Sequence, residues 1–117
     1  MLKPLKVLIV EDSEIDAIVL LSLLRQGGYD PDFRRVDNAA ALEAALRAQK
    51  WELVLSDHSL PDLDSSQALQ RVRAVDPDVP FLIVSGAIGD EVAVAAMKAG
   101  AQDYLMKSNL ARLGAAV

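Results

Sequence analysis

The sequence predicts a single α/β domain, with five strands alternating with five helices around a parallel sheet. Three observations predict it. At 117 residues the chain is close to the commonest domain size and can bury a core. Short apolar runs alternate with helix-like segments, the rhythm of parallel strands joined by right-handed crossovers. Three of the runs ("VLIV", "LVL" and "FLIV") are continuous, as expected of strands covered on both faces.

Taken in order, the first strand is expected near Lys6–Val10. Ser13 with Asp16 makes an N-cap pair for a helix over Glu14–Gln26, and Gly27-Gly28 supplies its stop. The second strand, "FRRV" at Phe33–Val36, is short and polar, which suits a sheet edge. A helix over Ala39–Gln49 leads to the third strand, Glu52–Ser56. A helix over Ser65–Val75 leads to the fourth, Phe81–Val84. Helix Asp90–Ala99, ended by Gly100, precedes the fifth strand, Asp103–Met106. Leu110, Leu113 and Val117 form an apolar stripe, but the segment from Asn109 gives at most about three turns. The last helix is therefore expected to be short or truncated. No repeat or linker divides residues 1–117, which read as one domain.

Composition narrows the function. A hydrophobic content of 52% excludes a disordered chain. No apolar run reaches membrane-spanning length and no secretory signal pattern is present, so no membrane insertion is expected. The absence of cysteine excludes disulfides and thiolate metal sites and is compatible with the cytoplasm. A formal charge of -5 with scattered basic residues disfavours direct nucleic-acid binding, which needs clustered cations.

The chemistry lies where the strands end. Open parallel sheets bind ligands beyond the carboxyl ends of their strands. Glu11 and Asp12 follow the first strand, Asp57 the third, Ser85 the fourth and Lys107 the fifth. Clustered carboxylates repel one another unless they share a cation. Oxygen-only ligands suit a hard cation, and a few carboxylates plus water suit magnesium. Such an ion would hold a phosphoryl group against a carboxylate nucleophile, with Lys107 and Ser85 free to bind the other oxygens. Each residue alone has a plainer reading. Asp57 could be a turn acid, Glu11 a solvated loop acid, Lys107 a surface lysine, Ser85 a strand-end hydroxyl and Tyr104 a packing residue. Their joint register outweighs these. His58, the only histidine, reads as a rim residue, and Trp51 as packing at the mouth of the third strand. Asp62 and Asp64 read as turn residues, with Asp64 a candidate cap for the third helix.

The motifs "VED", "SDHSLPDLD", "SGA" and "DYLMK", in that order and at those separations, resemble a response-regulator receiver domain over essentially the whole chain. The resemblance implies a flavodoxin-like fold with sheet order 2-1-3-4-5. It implies that Asp57 accepts a phosphoryl group from a histidine kinase or a histidine phosphotransfer domain. Asp12 and Asp57 would ligate Mg2+ directly, with Glu11 acting mainly through water and the backbone carbonyl of Ser59 completing the set; Mn2+ could substitute. Ser85 and Lys107 would bind the phosphoryl group, and Tyr104 would change rotamer with Ser85. The output face would be the fourth helix, fifth strand and fifth helix. A receiver catalyses only its own phosphorylation and dephosphorylation, so it is not an enzyme in the usual sense. Ser108 stands where the family commonly has proline, and Ser65 where it often has glycine. Ser59 and Ala87 occupy positions that tune phosphoryl lifetime. "DYLMKSNLARL" most resembles receivers joined to sensor kinases or other signalling domains, which implies a linked domain or a homodimer as further partners and a cytoplasmic location.

Other functions fit less well. An aspartyl phosphatase usually has an acid two residues after its nucleophile, and Ser59 stands there. A flavin-binding domain of this fold would meet its phosphate with donors, but "EDSEID" offers acids. No GxxxxGK loop is present. The first helix adds a surface expectation: "EIDAIVLLSLLRQ" is apolar almost all round. Ile15, Ile18, Val19 and Leu20 are its candidates for docking a partner helix bundle.

Overall fold

The structure is a computed structural model describing residues 2–57, 63, 65–85 and 103–106. Its elements run β1 (Lys3–Val10), α1 (Glu14–Gln26), β2 (Tyr29–Val36), α2 (Ala39–Ala48), β3 (Leu53–Asp57), α3 (Ser65–Val75), β4 (Phe81–Ser85) and β5 (Asp103–Met106). All neighbouring strands pair in parallel, in the order β2-β1-β3-β4-β5. The expected helices at Asp90–Ala99 and from Asn109 lie outside the described residues.

Strand pleating divides the core into two clusters. Leu5, Val7 and Ile9 of β1 join Leu53, Leu55, Leu82 and Val84 under Ala17, Leu20, Leu21 and Leu24 of α1. The intervening Leu8, Val10, Val54, Phe81 and Ile83 face Leu42, Ala45 and Leu46 of α2 and Ala68, Leu69 and Val72 of α3. Successive strand residues point to opposite faces, so a continuous apolar run feeds both layers. Burial of Leu20, Leu21 and Leu24 in α1 contributes about 1.5–3 kcal/mol each, which exceeds what helix propensity alone could supply.

Local chemistry fixes the helix ends. Ser13 caps α1, its Oγ accepting from the Asp16 N–H at 3.2 Å. Gly28, at φ 96°, turns the chain out of the helix. Asn38 caps α2 in the same manner, its Oδ1 accepting from the Ala41 N–H at 2.8 Å. Trp51 is buried beneath β3, and its indole N–H donates to the Ala45 carbonyl at 2.9 Å. Among the described residues no helix is long and apolar enough to cross a membrane.

Two strands exceed the expectation. The second runs Tyr29–Val36 and not only Phe33–Val36, and the first starts at Lys3 and not Lys6. Pro4, Asp30, Pro31 and Asp32 conceal the extension, because proline and aspartate are poor strand formers. Residues 3–5 pair with β2 alone, since contact with the β3 side begins where the Glu52 N–H donates to the Lys6 carbonyl at 2.9 Å and the β1–β3 ladder starts at Val7. On such one-sided strands a missing proline N–H costs little.

Candidate metal and phosphoryl site

β1 and β3 are adjacent and parallel, with Val10 opposite Ser56, so both chains leave the sheet at the same end. Glu11 and Asp12 follow directly on β1, while Asp57 is the last residue of β3. Each of the three carboxylates offers one oxygen, and these oxygens lie within 4.8 Å of one another. An octahedral magnesium ion with oxygens at about 2.1 Å holds opposite ligands about 4.2 Å apart. A small side-chain adjustment therefore brings the three oxygens around one hard cation, and the all-oxygen donor set matches its chemistry.

Exposure is graded across the cluster. Glu11 is 1% exposed, Asp57 half-buried and Asp12 exposed. The burial argues against Glu11 as a solvated loop acid. It leaves the outer side open, where water and a phosphoryl group can approach.

Backbone bonds hold the acids in place. The Glu11 N–H donates to the Val36 carbonyl at 2.9 Å, which ties the loop to the end of β2. Glu11 Oε1 accepts from the Ser13 N–H at 3.1 Å, linking the acid to the cap of α1. The Glu11 carbonyl accepts from Arg35 Nη1 at 3.2 Å. On β3, the buried Ser56 hydroxyl donates to the Asp57 carbonyl at 3.1 Å. The sequence singled out neither Arg35 nor the Ser56 hydroxyl: Arg35 lies outside the quoted motifs, and Ser56, though it opens "SDHSLPDLD", acts through a backbone carbonyl. The register pairing Ile9 with Arg35 was the signal that could have found the first.

The other expected residues divide into three groups. Ser85 ends β4 opposite Met106, so the strand ends preceding Lys107 and bearing Ser85 lie side by side. Tyr104 is in β5 opposite Ile83. Lys107 and Ser59 lie outside the described residues, as do His58, Asp62, Asp64, Ala87 and Ser108. On α1, Ile15 is 75% exposed, Ile18 53% and Val19 44%. Leu20 corrects the expectation: it is 3% exposed and packs in the core. It falls between Ala17 and Leu24 on the sheet-facing stripe, so it cannot share the outer face.

A model of the response regulator receiver domain family matches residues 7–117. The transcriptional regulatory protein ZraR of Salmonella typhimurium is 35% identical over 101 residues, covering 86% of this chain but 22% of the ZraR length. A response regulator from Burkholderia pseudomallei, solved with a phosphorylated aspartic acid, a calcium ion and citrate, superposes with a TM-score of 0.78. It is 26% identical, over 92% of this chain and 62% of its own. The receiver domain of a Pseudomonas aeruginosa sensor histidine kinase, with magnesium coordinated in its active-site cleft, gives a TM-score of 0.72 at 25% identity. That match covers 95% of this chain and 94% of the other.

Proposed function

This chain belongs to the response-regulator receiver family, and from that premise we propose that it is a phospho-accepting module whose acceptor is Asp57. The observation that carries the reading is the convergence of Glu11, Asp12 and Asp57 at the shared end of β1 and β3. A phosphorylated aspartate in one structural relative and a magnesium ion in another support it.

The residues fit the ion. Asp12 and Asp57 would hold it directly, Glu11 through water, and the Ser59 carbonyl would complete the protein ligands. Magnesium, when bound, would neutralise charge on the transferring phosphoryl group. An Asp57 carboxylate oxygen attacks the phosphorus of a phosphohistidine. The new O–P bond forms as the P–N bond breaks, and its electron pair returns to the imidazole, which takes a proton from solvent. Lys107 and Ser85 bind phosphoryl oxygens. The added charge of about −1.5 to −2 draws the Ser85 loop inward and moves Tyr104, altering the surface of the fourth helix, fifth strand and fifth helix. Water attack later returns the aspartate and free phosphate.

The donor is a histidine kinase or a histidine phosphotransfer domain in the cytoplasm. Ile15, Ile18 and Val19 would meet its helices, because they form the exposed apolar side of α1 next to the acidic site. Fusion to a further signalling domain is consistent with relatives several times longer than this chain.

Intact mass after incubation with magnesium and a small phosphoryl donor tests the reading. The parent gains one phosphoryl group and Asp57→Asn gains none. Phosphorylation of both proteins alike would put the acceptor elsewhere.

A further inference from the structure

We propose that Arg35 is a positioning residue that sets the geometry of the cation ligands; this rests on Glu11, Asp12 and Asp57 holding a hard cation. Arg35 lies on β2, opposite Ile9, and its Nη1 donates to the Glu11 carbonyl at 3.2 Å. That carbonyl belongs to the peptide joining Glu11 to Asp12. Rotation of this one peptide plane would re-aim both acids, because it lies between their Cα atoms.

Neighbours in β2 hold the two peptides that flank Glu11, one on each side of its Cα. Val36 accepts the Glu11 N–H at 2.9 Å, as a continuation of the sheet ladder. The next carbonyl along, that of Glu11 itself, accepts from the guanidinium. Ser13 N–H holds Glu11 Oε1 at 3.1 Å. These bonds hold backbone and side chain of the buried acid, and the one from Arg35 acts on the Glu11–Asp12 peptide itself. Groups that orient metal ligands from behind typically change metal affinity about 10–100-fold when removed.

Arg35 also brings a positive charge toward a site that must bind a cation. Charge alone and positioning therefore predict opposite signs. Loss of a merely repulsive arginine would tighten magnesium binding. Loss of a positioning arginine would weaken it, despite the more negative surroundings.

The test is calorimetric titration of the whole chain with magnesium chloride, comparing the parent with Arg35→Gln and Arg35→Lys. Arg35→Gln is expected to raise the magnesium Kd about tenfold, the lower end of that range. Arg35→Lys keeps the charge and one donor and should fall between it and the parent. With a small phosphoryl donor, half-saturation in magnesium should rise in parallel while the rate at saturating magnesium is retained. The metal-free melting temperature should stay at the parental value, since Arg35 is exposed on an edge strand. An unchanged or lower Kd in Arg35→Gln overturns the proposal, as does equal loss of metal-free stability, which would make the contact structural. A parent that binds no magnesium overturns the cation site itself, a distinct outcome.

Discussion

Glu11 and Asp12 are neighbours in sequence with opposite surroundings, and the difference decides what each can do. Glu11 is shielded from solvent and bonded to Ser13, so its carboxylate is held rigidly; in the proposed site it would reach an ion through water. Glu11→Gln keeps the size and removes the charge. Magnesium affinity should fall about 10–100-fold, as for other groups acting from behind the ligands. Asp12→Asn removes a proposed direct ligand and should cost more; calorimetry that ranks the two in reverse order would reassign their roles. Gly28 shows a different residue-scale constraint. Its φ of 96° is disfavoured for side-chain-bearing residues, while a Cβ there would meet nothing within 4 Å. Gly28→Ala should therefore destabilise through backbone strain alone, by about 1–2 kcal/mol. Urea unfolding would register this as a lower midpoint at unchanged slope. The positions of Asp57 and Gly28 were legible in the sequence because one ends an apolar run and the other follows a helix. The Arg35 and Ser56 contacts were not, because they join a side chain to a backbone carbonyl, which no residue pattern encodes.

At the scale of elements, α1 separates stability from recognition. Its inner stripe of Ala17, Leu20, Leu21 and Leu24 lies on the sheet, while Ile15, Ile18 and Val19 face outward. Leu24→Ala should cost about 2–5 kcal/mol, since the side chain is fully buried among β-strand residues. Ile18→Asp should change stability by no more than about 0.5 kcal/mol. The same variant should slow phosphotransfer from the cognate histidine donor but leave phosphorylation by a small donor intact. Equal loss with both donors would remove the docking role. The sequence delimited α1 and α3 correctly because caps and helical periodicity are local signals. It split α1 wrongly at Leu20 because an almost wholly apolar helix contains no polar face to mark the outside. It also shortened β2, whose Pro31 and flanking aspartates form a strand only because β1 lies alongside.

Over the whole molecule, two features reinforce one another: the chain carries a net charge of -5 and gathers three acids at one sheet end. Their assembly was legible from the rule that strand ends converge. Their spacing was not, since it depends on the β1–β3 register. Repulsion within the cluster disfavours the folded state, and a bound cation relieves it there and not in the unfolded chain, where the acids are far apart. Magnesium should therefore stabilise the fold by mass action, by about 2.7 kcal/mol at a hundred times its Kd. For a domain of this size that corresponds to a rise in melting temperature of roughly 10 °C. Any salt also screens a net charge, so sodium chloride at matched ionic strength is the necessary control. Site binding predicts a large shift with magnesium, a small one with sodium, and loss of the difference in Asp12→Asn. Equal shifts with both salts would mean that only the overall charge is being screened, and the three carboxylates would then not act as a metal site.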